Sequence, residues 1–221
     1  MDFFKKNSMS GWEEIGFLFY SCGEVLKKIS VRAMEGYRNL FFMDDTLRVD
    51  FFRQKGISYT QRGRYLPAIP MLERVVKHAP DDVEALFHLG FCHFKTGHEE
   101  SGTQLLERAF ALDCADPRIC AVLGMCYIHA HLYEKAIMVL SQALEHHQDN
   151  FNIHYRLGLA YDKTGQFDQA MKIFQSALRI RPKEPRIHQA MGFVLEQQGK
   201  RDEAVKFFKR AMELVDNQRV G

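Results

Sequence analysis

The sequence is short of the features that would place it in several common classes. Proline and glycine are scarce, 6 and 15 of 221 residues, which excludes a collagen-like or low-complexity chain and fits an ordered one. Charge of one sign is also lacking. The 30 basic residues face 28 acidic ones for a net +2, so a nucleic-acid binder that is basic over its whole surface is excluded. The apolar run Ile15 to Tyr20 is six residues long and contains a glycine, and the longest such run, Ile119 to Ile128, is ten. A bilayer span needs about 20. The opening Met1-Asp2-Phe3-Phe4-Lys5-Lys6 has no apolar region and cleavage site of the secretory kind. None of the five cysteines forms a C-x-x-C pair, and an odd number without such pairs reads as free thiols in a reducing compartment. A soluble, intracellular chain without a membrane span is expected.

Catalytic and cofactor signatures are missing too. There is no G-x-x-x-x-G-K-[ST], no G-x-G-x-x-G after a strand, no H-E-x-x-H and no G-x-S-x-G. Cys114, Cys120 and Cys126 recur every six residues, which scatters them around a helix, and Cys120 reads as a small core hydrophobe. His88 and His93 are not spaced i, i+4, and His146-His147 sit at a helix end, so no metal site is expected. The expectation is a chain that is not an enzyme and holds no cofactor.

What is present is a 34-residue period. Leu89-Gly90, Leu123-Gly124, Leu157-Gly158 and Met191-Gly192 stand in register, with Lys55-Gly56 upstream. Three residues after each glycine come Tyr59, His93, Tyr127, Tyr161 and Leu195. Twelve after it come the small residues Ala68, Gly102, Ala136, Ala170 and Ala204, followed by Leu72, Leu106, Leu140, Phe174 and Phe208. This resembles the tetratricopeptide repeat, whose pattern is L-G-x-x-Y, then A-x-x-x-F, then P. The closing proline is kept at Pro80 and Pro182 and replaced by Cys114, Gln148 and Asp216. The resemblance implies an all-α superhelical solenoid of antiparallel helix pairs, with repeats at 49–82, 83–116, 117–150, 151–184 and 185–218. The small slots let paired helices approach, and the Tyr and Leu/Phe slots fill the space between them. Gly63, Gly97, Gly165 and Gly199 read as helix stops. Repeat 117–150 is irregular, with His131 in the turn-glycine slot. The expected organisation is a degenerate helical segment over 1–48, an N-terminal half over 49–116 and a C-terminal half over 117–221.

Residues 1–48 match the repeat poorly but hold 9 of the 27 aromatic residues and balance 7 basic against 7 acidic side chains. One reading is a degenerate repeat that caps the solenoid. The other is an apolar module for self-association, presenting Trp12, Phe17, Phe19, Tyr20, Tyr37, Phe41 and Phe42.

By resemblance to the tetratricopeptide family, the first helix of each repeat lines a concave groove. The positions carried over are Arg53, Ile57, Phe87, Phe91, Phe94, Lys95, Arg118, Met125, Ile128, His129, Tyr155, Lys163, Arg186 and Phe193. An apolar floor edged by cations suits an extended or helical peptide with alternating apolar and acidic residues. A plainer reading of Phe87, Phe91 and Phe94 is that they pack only against neighbouring helices. The family's carboxylate clamp for chaperone tails requires Asn where Ile57 and His88 stand, so that role is disfavoured.

A closer resemblance rests on Phe52-Arg53, Lys55-Gly56-Ile57-Ser58, Gly63-Arg64-Tyr65, His88-Leu89-Gly90, Lys95-Thr96-Gly97, Asn150-Phe151-Asn152 and Arg156-Leu157-Gly158. Over about 44–214 the chain is similar to the magnetosome-associated tetratricopeptide proteins of magnetotactic bacteria. That similarity implies a peripheral protein on the cytoplasmic side of the magnetosome membrane. It would assemble with copies of itself, residues 1–48 docking in a neighbour's groove, and would scaffold other magnetosome proteins. The alternative is a monomeric adaptor that binds a partner peptide in its groove, with 1–48 as an ordinary cap. An RNA-binding array is disfavoured by the phenylalanine floor.

Overall fold

The computed structural model describes residues 45–220, together with 22, 23 and 26–28 upstream. From residue 45 onward the chain is a run of ten helices: α1 (Asp45–Gln61), α2 (Tyr65–His78), α3 (Val83–Lys95), α4 (Glu99–Leu112), α5 (Pro117–His129), α6 (Tyr133–His146), α7 (Phe151–Lys163), α8 (Phe167–Ile180), α9 (Pro185–Gln197) and α10 (Arg201–Val220). The expected five helix pairs are present, and the fold is an all-α tetratricopeptide solenoid. Two compact units divide the chain, Met1–Arg48 and Val49–Gly221. Within the second, one core cluster runs from Leu86 to Ala160, so the halves 49–116 and 117–221 share a continuous core across residue 116.

Side-chain caps mark where three of the helices begin. Asp82, Asp116 and Asn150 precede α3, α5 and α7, and each side chain accepts from a backbone N–H of the first turn, at 3.0 Å from Ala85, 2.7 Å from Arg118 and 3.0 Å from Asn152. These oxygens satisfy donors that the helix itself leaves unpaired. Pro117 and Pro185 occupy the opening positions of α5 and α9, where a missing N–H does no harm.

The turns inside the pairs are equally regular. Gly63, Gly97, Gly165 and Gly199 have φ of 71°, 88°, 73° and 79°, and His131 adopts φ 59° in the same slot. The residue after each donates its N–H to the carbonyl five residues back, at Tyr59, His93, Tyr127, Tyr161 and Leu195, over 2.8–2.9 Å. This is the Schellman closure, which needs a left-handed residue. The aromatic slot therefore packs with its side chain and closes the helix with its carbonyl.

Packing within a pair depends on the glycine slot. A Cβ on Gly158 would stand 2.5 Å from the ring of Phe174, and one on Gly124 2.6 Å from Leu140. Phe174, Leu140, Leu106 and Leu72 are fully buried in these seats. Cys120 is fully buried, as its slot predicts. Among the described residues, helices touch only their next or next-but-one neighbour, the signature of a solenoid.

Candidate peptide-binding groove

The first helices of successive repeats, α1, α3, α5, α7 and α9, carry the groove positions. Three arginines mark its course, and each is held by carboxylates of its own chain. Arg53 meets Asp82 at 2.7 Å and Asp50 at 3.2 Å. Arg118 lays its two terminal nitrogens on the two Glu84 oxygens at 2.9 and 2.8 Å, reaching one full repeat back, and also bonds Asp116 at 2.7 Å. Hydrogen bonding from Arg118 holds the Glu84 carboxyl below its usual range. Asp116 is pushed up by burial, but its bonds to Arg118 outweigh this and leave it lowered. Arg186 donates to Glu184 at 2.8 Å and lies 5.5 Å from the Tyr155 ring centre.

The aromatic floor divides into covered and open parts. Phe87 and Phe94 are buried, each 8% exposed, which corrects their expected exposure: Phe87 sits under the Arg118 guanidinium at 5.2 Å, and Phe94 meets His129 edge-on at 5.3 Å. For these two the plainer packing reading holds. Phe91 is half-buried, stacked on Phe87 and edge-on to Tyr65 at 5.8 Å, with the Lys95 ammonium 5.5 Å from its ring. Ile57, Met125 and Ile128 are half-buried and His129 is exposed. Tyr155, Lys163, Arg186 and Phe193 come together around a cleft of about 430 Å³ between α7 and α9, which Leu159 and Phe174 floor. Phe193 is 47% exposed there. The open part of the groove thus lies in the C-terminal repeats.

Two further features had no counterpart in the sequence reading. Asp162, buried on α7, accepts from Gln197 of α9 at 3.0 Å and has its carboxyl pushed up by burial. Arg156 stands half-buried on α7, its Nη2 directed at the Met125 sulfur at 3.6 Å. The readable signal for Arg156 was its slot, which His88, Val122 and Ala190 occupy as buried residues elsewhere. The aromatic set Trp12, Phe17, Phe19, Tyr20, Tyr37, Phe41 and Phe42 lies outside the described residues. Among the described residues no group of three His, Cys, Asp or Glu could hold a metal, and no helix is long and apolar enough to cross a membrane.

Comparison with known proteins agrees with this architecture. The tetratricopeptide repeat family profile matches residues 127–192 and 165–220, and that of anaphase-promoting complex, cyclosome, subunit 3 matches 61–143. The solved MamA MSR-1 structure is 40% identical, with a TM-score of 0.69, and the alignment covers 78% of this chain and 99% of that one. The chain belongs to the MamA family. A second MamA structure, AMB-1, is also 40% identical, with a TM-score of 0.70 over 76% of this chain and 99% of that one. Curated MamA relatives include the magnetosome protein of Magnetospirillum gryphiswaldense, 39% identical over 66 residues, and that of Paramagnetospirillum magneticum, 38% identical over 66. Those matched stretches span 30% of this chain and 30% of each curated MamA protein.

Proposed function

We propose that this chain is a non-catalytic interaction scaffold at the magnetosome, held peripherally on the cytoplasmic side of its membrane. It binds peptide segments in the concave groove. It assembles with copies of itself by seating residues 1–48 in a neighbour's groove, and it recruits other magnetosome proteins through their own segments. The observation that carries this reading is the cleft between α7 and α9, where Phe193 and Tyr155 offer an open apolar surface beside Arg186 and Lys163. Large apolar residues left in a concave site mark binding surfaces. Docking of one end in the groove of the next copy is heterologous, so it builds rings or open polymers instead of a closed pair.

The test is solution mass by light scattering for the full chain, for a chain beginning at Asp44, and for full-length Phe193→Ser. Assemblies in the full chain that fall to monomers in both variants support the scaffold. A monomeric full chain leaves the adaptor reading, in which the groove serves only foreign peptides. Arg53→Glu is a poor probe of the groove, because it sets a carboxylate against Asp82, the cap of α3.

A further inference from the structure

Arg156 differs from every other arginine along the groove. Arg53, Arg118 and Arg186 each hold a carboxylate within 2.8 Å. Arg156 has one polar contact, the Met125 sulfur at 3.6 Å, and among the described residues it forms no ion pair. It touches Met125, and the Cys126 thiol, the Tyr155 hydroxyl and the Arg186 guanidinium lie near enough to act on its charge. Burial pushes its pKa down, and Arg186 pushes the same way. The slot is uncharged elsewhere: His88, Val122 and Ala190 are 7%, 9% and 8% exposed, and Gln54 of the first repeat is neutral and exposed. A cation taken partly out of water with no counter-charge is unfavourable, and among the described residues no carboxylate pairs with this one.

We infer that Arg156 is the specificity residue of the groove, and that it takes the side-chain carboxylate of an Asp or Glu on an extended partner peptide. The inference rests on the peptide-binding reading above and sharpens it: the arginines that edge the groove, Arg53, Arg118 and Arg186, are already paired with carboxylates of their own chain, and the discriminating one sits deeper, on α7. A planar guanidinium grips a carboxylate with two parallel bonds, which fixes peptide register as well as charge. The Met125 and Tyr155 surfaces beside it favour an acid borne on an apolar segment over a fully hydrated one. A partner whose carboxylate reaches Arg156 gains more from the pair than one that meets an exposed, self-paired arginine.

The experiment uses the full-length protein and a panel of amidated decapeptides of Leu, Phe, Ser and Gly with one central Glu, against the same panel with Gln. Binding is read by fluorescence anisotropy. The best glutamate peptides should bind wild type about ten-fold more tightly than their glutamine twins, the value of one charge-assisted contact. Arg156→Met should abolish the preference, Arg156→Lys should keep part of it, and the equal charge change Arg210→Met on α10 should leave it intact. The Arg156→Met protein should also melt at or above the wild-type temperature, since an apolar side chain of similar length replaces an unpaired cation. A preference that survives Arg156→Met overturns the inference, as does a fall of several degrees in melting temperature, which would make Arg156 structural. Loss of the preference on adding acetate at the peptide concentration would assign the subsite to a free small anion. Equal binding of both panels removes this inference alone, whereas no binding by either panel removes the groove reading with it.

Discussion

Gly102 on α4 faces Gly90 on α3 so closely that a methyl group on Gly102 would stand 2.7 Å from the Gly90 carbonyl oxygen and 2.8 Å from the Phe94 nitrogen. Both obstacles are backbone, so no rotamer change relieves them. In the other four repeats the Gly102 slot holds alanine, at Ala68, Ala136, Ala170 and Ala204. The second repeat has therefore drawn its helices nearer than a Cβ in that slot permits.

Restoring the repeat pattern with Gly102→Ala should lower stability despite its better helix propensity. Forcing a methyl into a filled contact typically costs about 1–3 kcal/mol, against a propensity gain of about 1 kcal/mol. Thermal unfolding should show a net decrease. An increase would mean that α3 and α4 separate without penalty.

His131 carries φ 59° in a slot where the other repeats place glycine. A side chain in the left-handed region costs about 1–2 kcal/mol, and glycine relieves it at some entropic expense in the unfolded chain. His131→Gly should raise stability by about 1 kcal/mol in urea unfolding, even though the exposed contact between His131 Nδ1 and the Tyr133 hydroxyl is lost. A lower midpoint would show that this contact outweighs the strain.

Glu84 and Asp116 both have lowered carboxyl pKa values in the folded chain. The unfolded chain therefore binds protons first as the medium acidifies, and the stability these groups add is fully present at pH 7. It fades as pH drops below about 4.3, the ordinary glutamate value, through the lowered folded values. Glu84→Gln should flatten part of the loss between pH 5 and pH 3. Because the pair is partly exposed, the effect should be small and should shrink in high salt.

The five cysteines should divide into two reactivity classes. Cys22 and Cys114 are exposed, and Cys92, Cys120 and Cys126 are buried. Burial pushes the Cys120 thiol up to about 11 and that of Cys126 to about 12. A thiol-reactive dye at pH 7.5 should modify Cys22 and Cys114 quickly and the other three only on unfolding. Fast labelling of Cys126 would show that the α4–α5 packing opens readily.

Much of this architecture was legible because each repeat states it again. The turn glycines, the small slots and the buried Leu/Phe slots recur, and recurrence separates a packing rule from accident. The caps at Asp82, Asp116 and Asn150 recur at the same period and could have been found by the same search. Phe87 and Phe94 were misplaced because slot assignment gives the face of a helix, whereas burial depends on what the neighbouring repeat lays over it, here Arg118 and His129. Arg156 stands in one repeat alone, and the bonds of Gln197 to Asp162 and of Tyr127 to Glu107 at 2.8 Å each join two adjacent repeats once. The period marks Arg156 only as a departure from what its slot holds elsewhere, and the two bonds are read only from their spatial partners.

The glycine seats and the side chains that fill them belong to the same repeat: Gly56 with Leu72, Gly124 with Leu140, Gly158 with Phe174, Gly192 with Phe208. Knob and socket are inherited together. A duplication or deletion of one whole 34-residue unit carries a matched pair with it and leaves the remaining pairs untouched. Groove length can thus change in quanta during evolution while the interior of each unit stays solved, and leucine can give way to phenylalanine in one unit without a compensating change in the next.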